Sequence, residues 1–157
     1  MDEEINYDKK FMDDFYRNFP EINKEFKKHL VEKQYFDFKR DAKKYFSQMC
    51  GLSDYILFLF EQKEEMKLQR ILLFIENSIG QNKETDESIE VFIFEDIINV
   101  LRGRDSDNGT HSMTEFEKLL GQRSINLCRK NEVLWNSLDR EPKSLANMIR
   151  FLKEQDN

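Results

Sequence analysis

The most apolar stretch of the chain is residues 54–79, DYILFLFEQKEEMKLQRILLFIENSI, and it decides the fold. An unbroken apolar run fills residues 55–60, a charged interval follows, and apolar residues then return at helical spacing up to Ile79. We expect two helices, or one kinked helix, ended by Gly80 as a C-terminal cap residue. A strand over residues 56–60 is the alternative, since a short apolar run does not fix the period.

The next segment carries the broadest apolar stripe. Apolar side chains recur from Ile89 to Leu101 over most of the helix circumference. This pattern is typical of a helix in the middle of a bundle. Thr85 or Asp86 is the expected N-cap of that helix, which should end near Leu101.

Helices are also predicted on both sides of this region. Residues 7–18 show helical spacing, and Pro20 ends that helix and fits the first turn of the next one. Gly51 is expected to break a later pattern, with Ser53 as the N-cap of the segment that follows. Near the carboxyl end, Pro142 opens a last helix.

The composition agrees with this helical reading. The chain has only 5 Gly and 2 Pro, too few for the turns of a many-stranded sheet, whereas 14 Phe supply packing volume for a core. We predict an all-α fold: one domain over residues 1–157, built as an antiparallel bundle of about seven or eight helices.

One segment has strong turn chemistry. Residues 102–112 contain two Gly and several Asp and Asn residues, and they predict an exposed, mobile loop. The sequence from Asp105 to Gly109 is similar to part of a calcium loop, but Gly109 comes one place early and Phe116 stands where the closing Glu belongs. A flexible turn is the better interpretation.

Residues suited to catalysis or metal binding are few. The two histidines, His29 and His111, lack the spacing of zinc or di-iron sites, and Cys50 and Cys128 match no zinc or redox motif. Glu25 lies one helical turn before His29, and a surface hydrogen bond is the expected role of that pair. We therefore predict a protein that is not an enzyme and has no catalytic residue, cofactor or metal site.

The charge is concentrated in the apolar third of the chain. The net charge is −6, and residues 51–110 hold 13 acidic and 6 basic side chains. An acidic balance argues against direct binding of nucleic acid or of a membrane surface. The apolar runs are too short to span a bilayer, and the first residues, Met1 to Glu4, do not resemble a signal peptide. The expected location is the cytoplasm.

Three short motifs give the chain a family resemblance. They are Phe19-Pro20-Glu21, Phe74-Ile75-Glu76 and Phe94-Glu95-Asp96-Ile97. With the apolar pattern of residues 10–101, they resemble small helical bacterial immunity proteins of contact-dependent inhibition and related polymorphic-toxin systems. The resemblance implies tight binding that neutralises one cognate toxin domain, with no catalytic residues to carry over. It does not extend to residues 102–157.

An acidic face would complement such a toxin, which is often a basic nuclease. The expected contact residues are Glu84, Asp86, Glu87, Glu90, Asp105 and Asp107. For each one the alternative is a role in solubility or at a helix N-terminus.

Two other functions stay open. A helical adaptor or regulatory subunit would bind several partners or form oligomers, and the sequence does not specify the oligomeric state. An enzyme, the third possibility, would need a pair of acids with raised pKa values inside a cleft.

Overall fold

The computed structural model describes residues 4–33 and 44–129, where every regular element is a helix. The elements are α1 (Tyr7–Asn18), α2 (Pro20–Glu32), α3 (Tyr45–Glu61), α4 (Glu65–Ser78), α5 (Lys83–Ser88), a π-helical segment (Ile89–Phe94), α6 (Glu95–Asn108), α7 (Ser112–Glu117) and a helix α8 at residues 122–129. The predicted all-α fold is confirmed, and residues 56–60 are helical. None of the described helices has the length and hydropathy needed to cross a bilayer.

Helix α3 is the centre of the core. It contacts α1, α2, α4, the π-helical segment and α6. Its fully buried side chains include Leu52, Tyr55, Ile56 and Leu59. The uninterrupted apolar run is explained by this position, because a helix surrounded by others buries most of its circumference.

The predicted break at Gly51 and the predicted cap at Ser53 are wrong, because α3 runs through both residues. A Cβ atom on Gly51 would lie 2.0 Å from Leu30 Cδ2. The glycine therefore allows α2 and α3 to approach closely, instead of ending a helix.

Aromatic packing fixes the junction of α1 and α2. The ring of Phe15 lies 5.1 Å from that of Phe19, 5.3 Å from Phe26 and 5.9 Å from Phe74, in tilted or edge-on geometry. Such pairs stabilise a core beyond the area that they bury. Phe19 separates the two helices and Pro20 is the first residue of α2, as predicted.

Residues 54–79 were predicted to form either two helices or one kinked helix, and the structure has two. A short turn at residues 62–64 separates α3 from α4, and Lys63 adopts a positive φ of 57° there. After α4, Gly80 has a φ of 92°, which glycine adopts without steric cost. The helix ends close to the predicted place, but its C-cap is Ile79, and Gly80 lies in the turn that follows.

The loop predicted at residues 102–112 is wrong over most of its length. Helix α6 continues to Asn108, and the left-handed Gly109, with a φ of 65°, ends it. Burial of Ile97, Ile98 and Leu101 against the core holds the helix together despite its Asp- and Gly-containing end. Only residues 109–111 separate α6 from α7.

The carboxylate of Glu76 on α4 accepts hydrogen bonds from the start of α8. The backbone N–H groups of Arg123 and Ser124 donate to Glu76 Oε1 and Oε2, each at 2.9 Å, and Ser124 Oγ donates to Oε2 at 2.6 Å. Burial raises the pKa of Glu76, but these bonds outweigh it and hold the pKa below its usual value. A Cβ atom on Gly121 would lie 2.4 Å from the Glu76 carboxyl carbon, so a glycine is needed beside the cap. The last predicted helix, from Pro142, lies outside the described residues.

Candidate functional site

The predicted contact residues lie on one long helical rod that joins α5, the π-helical segment and α6. It begins at Asn82, whose side chain accepts a hydrogen bond from the Thr85 N–H at 3.2 Å. The predicted caps, Thr85 and Asp86, are therefore wrong by a few residues. Carboxylates in the first turn favour this end of the helix through its dipole.

A row of exposed side chains follows the solvent side of the rod. We call it the acidic ridge, and it consists of Glu84, Glu87, Val91, Asp96 and Val100. In chain order, two carboxylates are followed by Val91, Asp96 and Val100, and Val91 is 48% exposed. Lys83 Nζ lies 4.0 Å from Glu87 Oε1 at the start of the ridge. Charge and exposed apolar surface are thus mixed along one line.

The π-helical segment keeps this row in phase. The N–H of Glu95 donates to the carbonyl of Glu90, a bond that spans five residues where an α-helix spans four. The interval from Val91 to Asp96 is likewise five residues, so the wider turn holds both on the solvent side. On its other side the segment buries Ile93 against the core. Segments of this kind often occur at functional sites.

The structure separates the six predicted contact residues. Glu84 and Glu87 lie on the acidic ridge, and Glu90 is half-buried beside it. Asp107 is exposed in the last turn of α6 and lies roughly 30 Å from Glu84 along the rod. The six residues therefore do not form one compact patch.

Asp86 and Asp105 carry structural bonds. Gly80 N–H donates to both carboxylate oxygens of Asp86, at 3.0 and 3.2 Å, which joins α5 to the end of α4. Asp105 accepts bonds from Thr110 Oγ1 at 2.6 Å and from the N–H groups of Ser112 and Met113 at 2.7 and 2.9 Å.

Asp105 thus caps α7 from the preceding helix. The bond from Thr110 is the largest cause that lowers its pKa to about 2, followed by the bond from Met113. A contact with a partner stays a prediction for all six residues, but Asp86 and Asp105 already have partners within the chain.

Sequence reasoning missed an aromatic pair beside the ridge. The rings of Phe46 on α3 and Phe92 in the π-helical segment lie 6.0 Å apart, and Phe46 is 49% exposed. Aromatic side chains are enriched at protein interfaces, so an exposed phenylalanine beside the ridge is a candidate contact residue. The two phenylalanines lie far apart in the sequence, so no local signal joins them.

A second feature missed by the sequence is a surface depression at the start of the ridge. It has a volume of about 450 Å³, and Glu4, Ile5, Asp8, Glu84 and Ser88 are among its lining residues. Glu4, before α1, and Asp8, in the first turn of α1, therefore add two carboxylates next to Glu84. This extends the negative surface beyond the acidic part of the sequence.

The chemistry of His29 differs from the prediction. Its Nε2 lies 2.5 Å from Asp54 Oδ2, and its ring contacts those of Tyr55 and Phe58 at 5.4 and 5.1 Å. The predicted surface bond to Glu25 is wrong, because His29 is turned into the contact between α2 and α3. Within residues 4–33 and 44–129, no three His, Cys, Asp or Glu side chains are grouped to hold a metal ion.

The acidic residues of two of the motifs behind the family resemblance have structural roles. Glu21 of the first motif pairs with Arg70 at 2.5 Å, and Glu76 of the second caps α8. The third motif spans the junction of the π-helical segment and α6, where Phe94 is buried. The first two motifs therefore report on helix packing more than on a shared binding surface.

The chain matches a known protein family over most of its length. No curated protein and no solved structure is similar to the chain. A family model, described as a domain of unknown function, matches residues 12–136, which include the acidic ridge and most of the helices. The chain therefore belongs to the family DUF7674.

Proposed function

We propose that the protein is an immunity protein that binds and neutralises a bacterial toxin domain through the acidic ridge. The observation that carries the proposal is the ridge itself, where the exposed side chains of Glu84, Glu87 and Asp96 lie in one row with those of Val91 and Val100. Protein interfaces combine an apolar centre with charged surroundings in this way.

The charge of the ridge suits a basic partner. The segment from Lys83 to Asp96 contains six acidic residues and one basic residue. Such a local excess attracts a positively charged protein and raises the rate of association. A nuclease toxin has a basic surface for its nucleic-acid substrate. Binding of the ridge would cover that surface, and neutralisation would take place in the cytoplasm.

The proposal predicts that a toxin domain is encoded beside this protein, and the test begins with that domain. The tagged full-length chain should copurify with that toxin domain in a one-to-one complex and protect cells that express it. The double variant Glu84→Lys/Glu87→Lys should slow association by about tenfold at low salt, because it reverses the charge that steers encounter. Glu32→Lys, a reversal on the exposed end of α2, is the matched control.

Failure to recover a toxin domain from the native cell would contradict the proposal. So would full protection by the double variant with an unchanged association rate. An adaptor is the second candidate, and exposed Met66 and Leu73 on α4 favour it, since they offer apolar contacts away from the ridge. It would bind more than one protein or self-associate, which light scattering on the purified chain would detect.

A further inference from the structure

Two short rows of side chains face each other where α3 meets the long rod. Phe46 and Cys50 lie one turn apart on α3, and Phe92 and Asp96 lie about one turn apart on the rod. The Phe46 and Phe92 rings are in contact, at 6.0 Å between centroids. Burial first, and then the charge of Asp96, raises the pKa of the Cys50 thiol. Phe46 therefore lies beside Phe92, and Cys50 lies near Asp96.

This place combines an open aromatic ring with an unpaired carboxylate. Phe46 is about half exposed. Asp96 has no hydrogen bond or ion pair with any described residue, and the packing around it raises its pKa. A cation from outside would therefore gain both a ring face and a counter-charge. The guanidinium group fits both, because it is flat enough to stack and donates two parallel bonds to a carboxylate.

We propose that Phe46, Phe92 and Asp96 form a docking site for an arginine side chain of a partner protein. The proposal rests on the proposed function, since it names the group of the basic partner that contacts the centre of the acidic ridge. Arginine is among the residues that most often dominate the energy of protein interfaces. Phe46 and Phe92 would hold the flat group, and Asp96 would fix its direction.

The test uses the full chain and a probe that needs no toxin. The peptide acetyl-Gly-Arg-Gly-amide is titrated into isotope-labelled protein, and amide resonances are followed by NMR. Saturable shifts should centre on Phe46, Cys50, Phe92 and Asp96. The same peptide with citrulline, which is uncharged, or with lysine, which is not flat, should bind at least about fivefold more weakly.

Two variants and a control locate the site. Asp96→Asn and Phe46→Ala should each weaken arginine-peptide binding by about fivefold, which corresponds to roughly one kcal/mol. Glu115→Gln, an exposed change on α7 and away from the ridge, should leave it within about twofold. Equal binding of the citrulline or lysine peptide, or shifts spread evenly over Glu84 and Glu87, would overturn the proposal. If the chain binds a toxin domain but not the arginine peptide, the docking site is refuted and the proposed function is not. If it binds the arginine peptide but no toxin domain, the proposed function is refuted and the docking site is not.

Discussion

Replacing Glu76 with alanine should loosen α8 from the bundle, because one side chain accepts three hydrogen bonds at the start of that helix. A hydrogen bond to a charged group contributes about 1.5–3 kcal/mol, and a helix cap about 0.5–2 kcal/mol. Ser124 is buried, but Glu76 is partly open to water, which replaces some of the lost bonds. We therefore expect a loss of about 2–3 kcal/mol in the free energy of unfolding.

Urea denaturation followed by circular dichroism measures this loss, and thermal unfolding should show a midpoint lower by about 4–12 °C. Gln69→Ala, an exposed change on the same helix, is the control and should stay within about 0.5 kcal/mol of the unaltered protein. Ser124→Ala removes only the hydroxyl bond and should cost about 1 kcal/mol. In the double variant the two losses should not add, since both remove the same bond.

The dependence on pH gives a second check. The pKa of Glu76 is lowered in the folded protein, so its contribution is complete above the unfolded value of about 4.3 and disappears as the pH falls through the folded value. The difference between the unaltered protein and Glu76→Ala should therefore shrink below pH 4. A loss no larger than that of Gln69→Ala at pH 7 would refute the assignment of Glu76 as the cap of α8.

Three further predictions concern other residues. Gly51→Ala should destabilise the protein by about 1–3 kcal/mol in urea denaturation, because the added Cβ would overlap Leu30 in the core. Gly103→Ala is the comparison: its Cβ would face open space inside α6, so it should stabilise the protein by about 0.5–1 kcal/mol. Asp105→Asn should lower the melting temperature at pH 7 but have little effect near pH 2. The pKa of Asp105 is lowered in the folded protein, so the stability that its charge contributes disappears as the pH falls towards about 2. An equal effect at pH 7 and pH 2 would argue against a charged cap. Cys50 should react with a thiol reagent only slowly at pH 8, since burial and then Asp96 raise its pKa, and faster labelling in Asp96→Asn would confirm the contribution of that carboxylate.

Local chemistry was enough to predict much of the fold. Pro20 and Gly80 mark boundaries correctly, because a proline fits only the first turn of a helix and a positive φ favours glycine. Gly51 shows the limit of this reasoning. A glycine that ends a helix and a glycine that admits a neighbouring helix have the same local sequence signal, and only the position of Leu30 distinguishes them.

The candidate site was predictable to a smaller extent. Glu84 and Glu87 were predicted because they belong to the acidic segment that precedes the apolar stripe of the central helix, and both are exposed. Asp105 belongs to the same acidic segment, but its bonds to α7 depend on how the chain turns after Gly109. The contact of Phe46 with Phe92 joins two helices, and a single sequence holds no signal for such a pairing.

The five-residue hydrogen bond between Glu90 and Glu95 accommodates one residue more than an ordinary α-helical turn. Deleting one residue within Ile89–Phe94 would restore the four-residue spacing, and the residues downstream would keep their faces towards the core and the solvent. If the same residues formed ordinary α-helix without a deletion, everything downstream would instead rotate by about 100°, and Ile97 and Leu101 would turn out of the core. Homologous chains should therefore accept a single-residue gap in this segment more readily than in the rest of the rod.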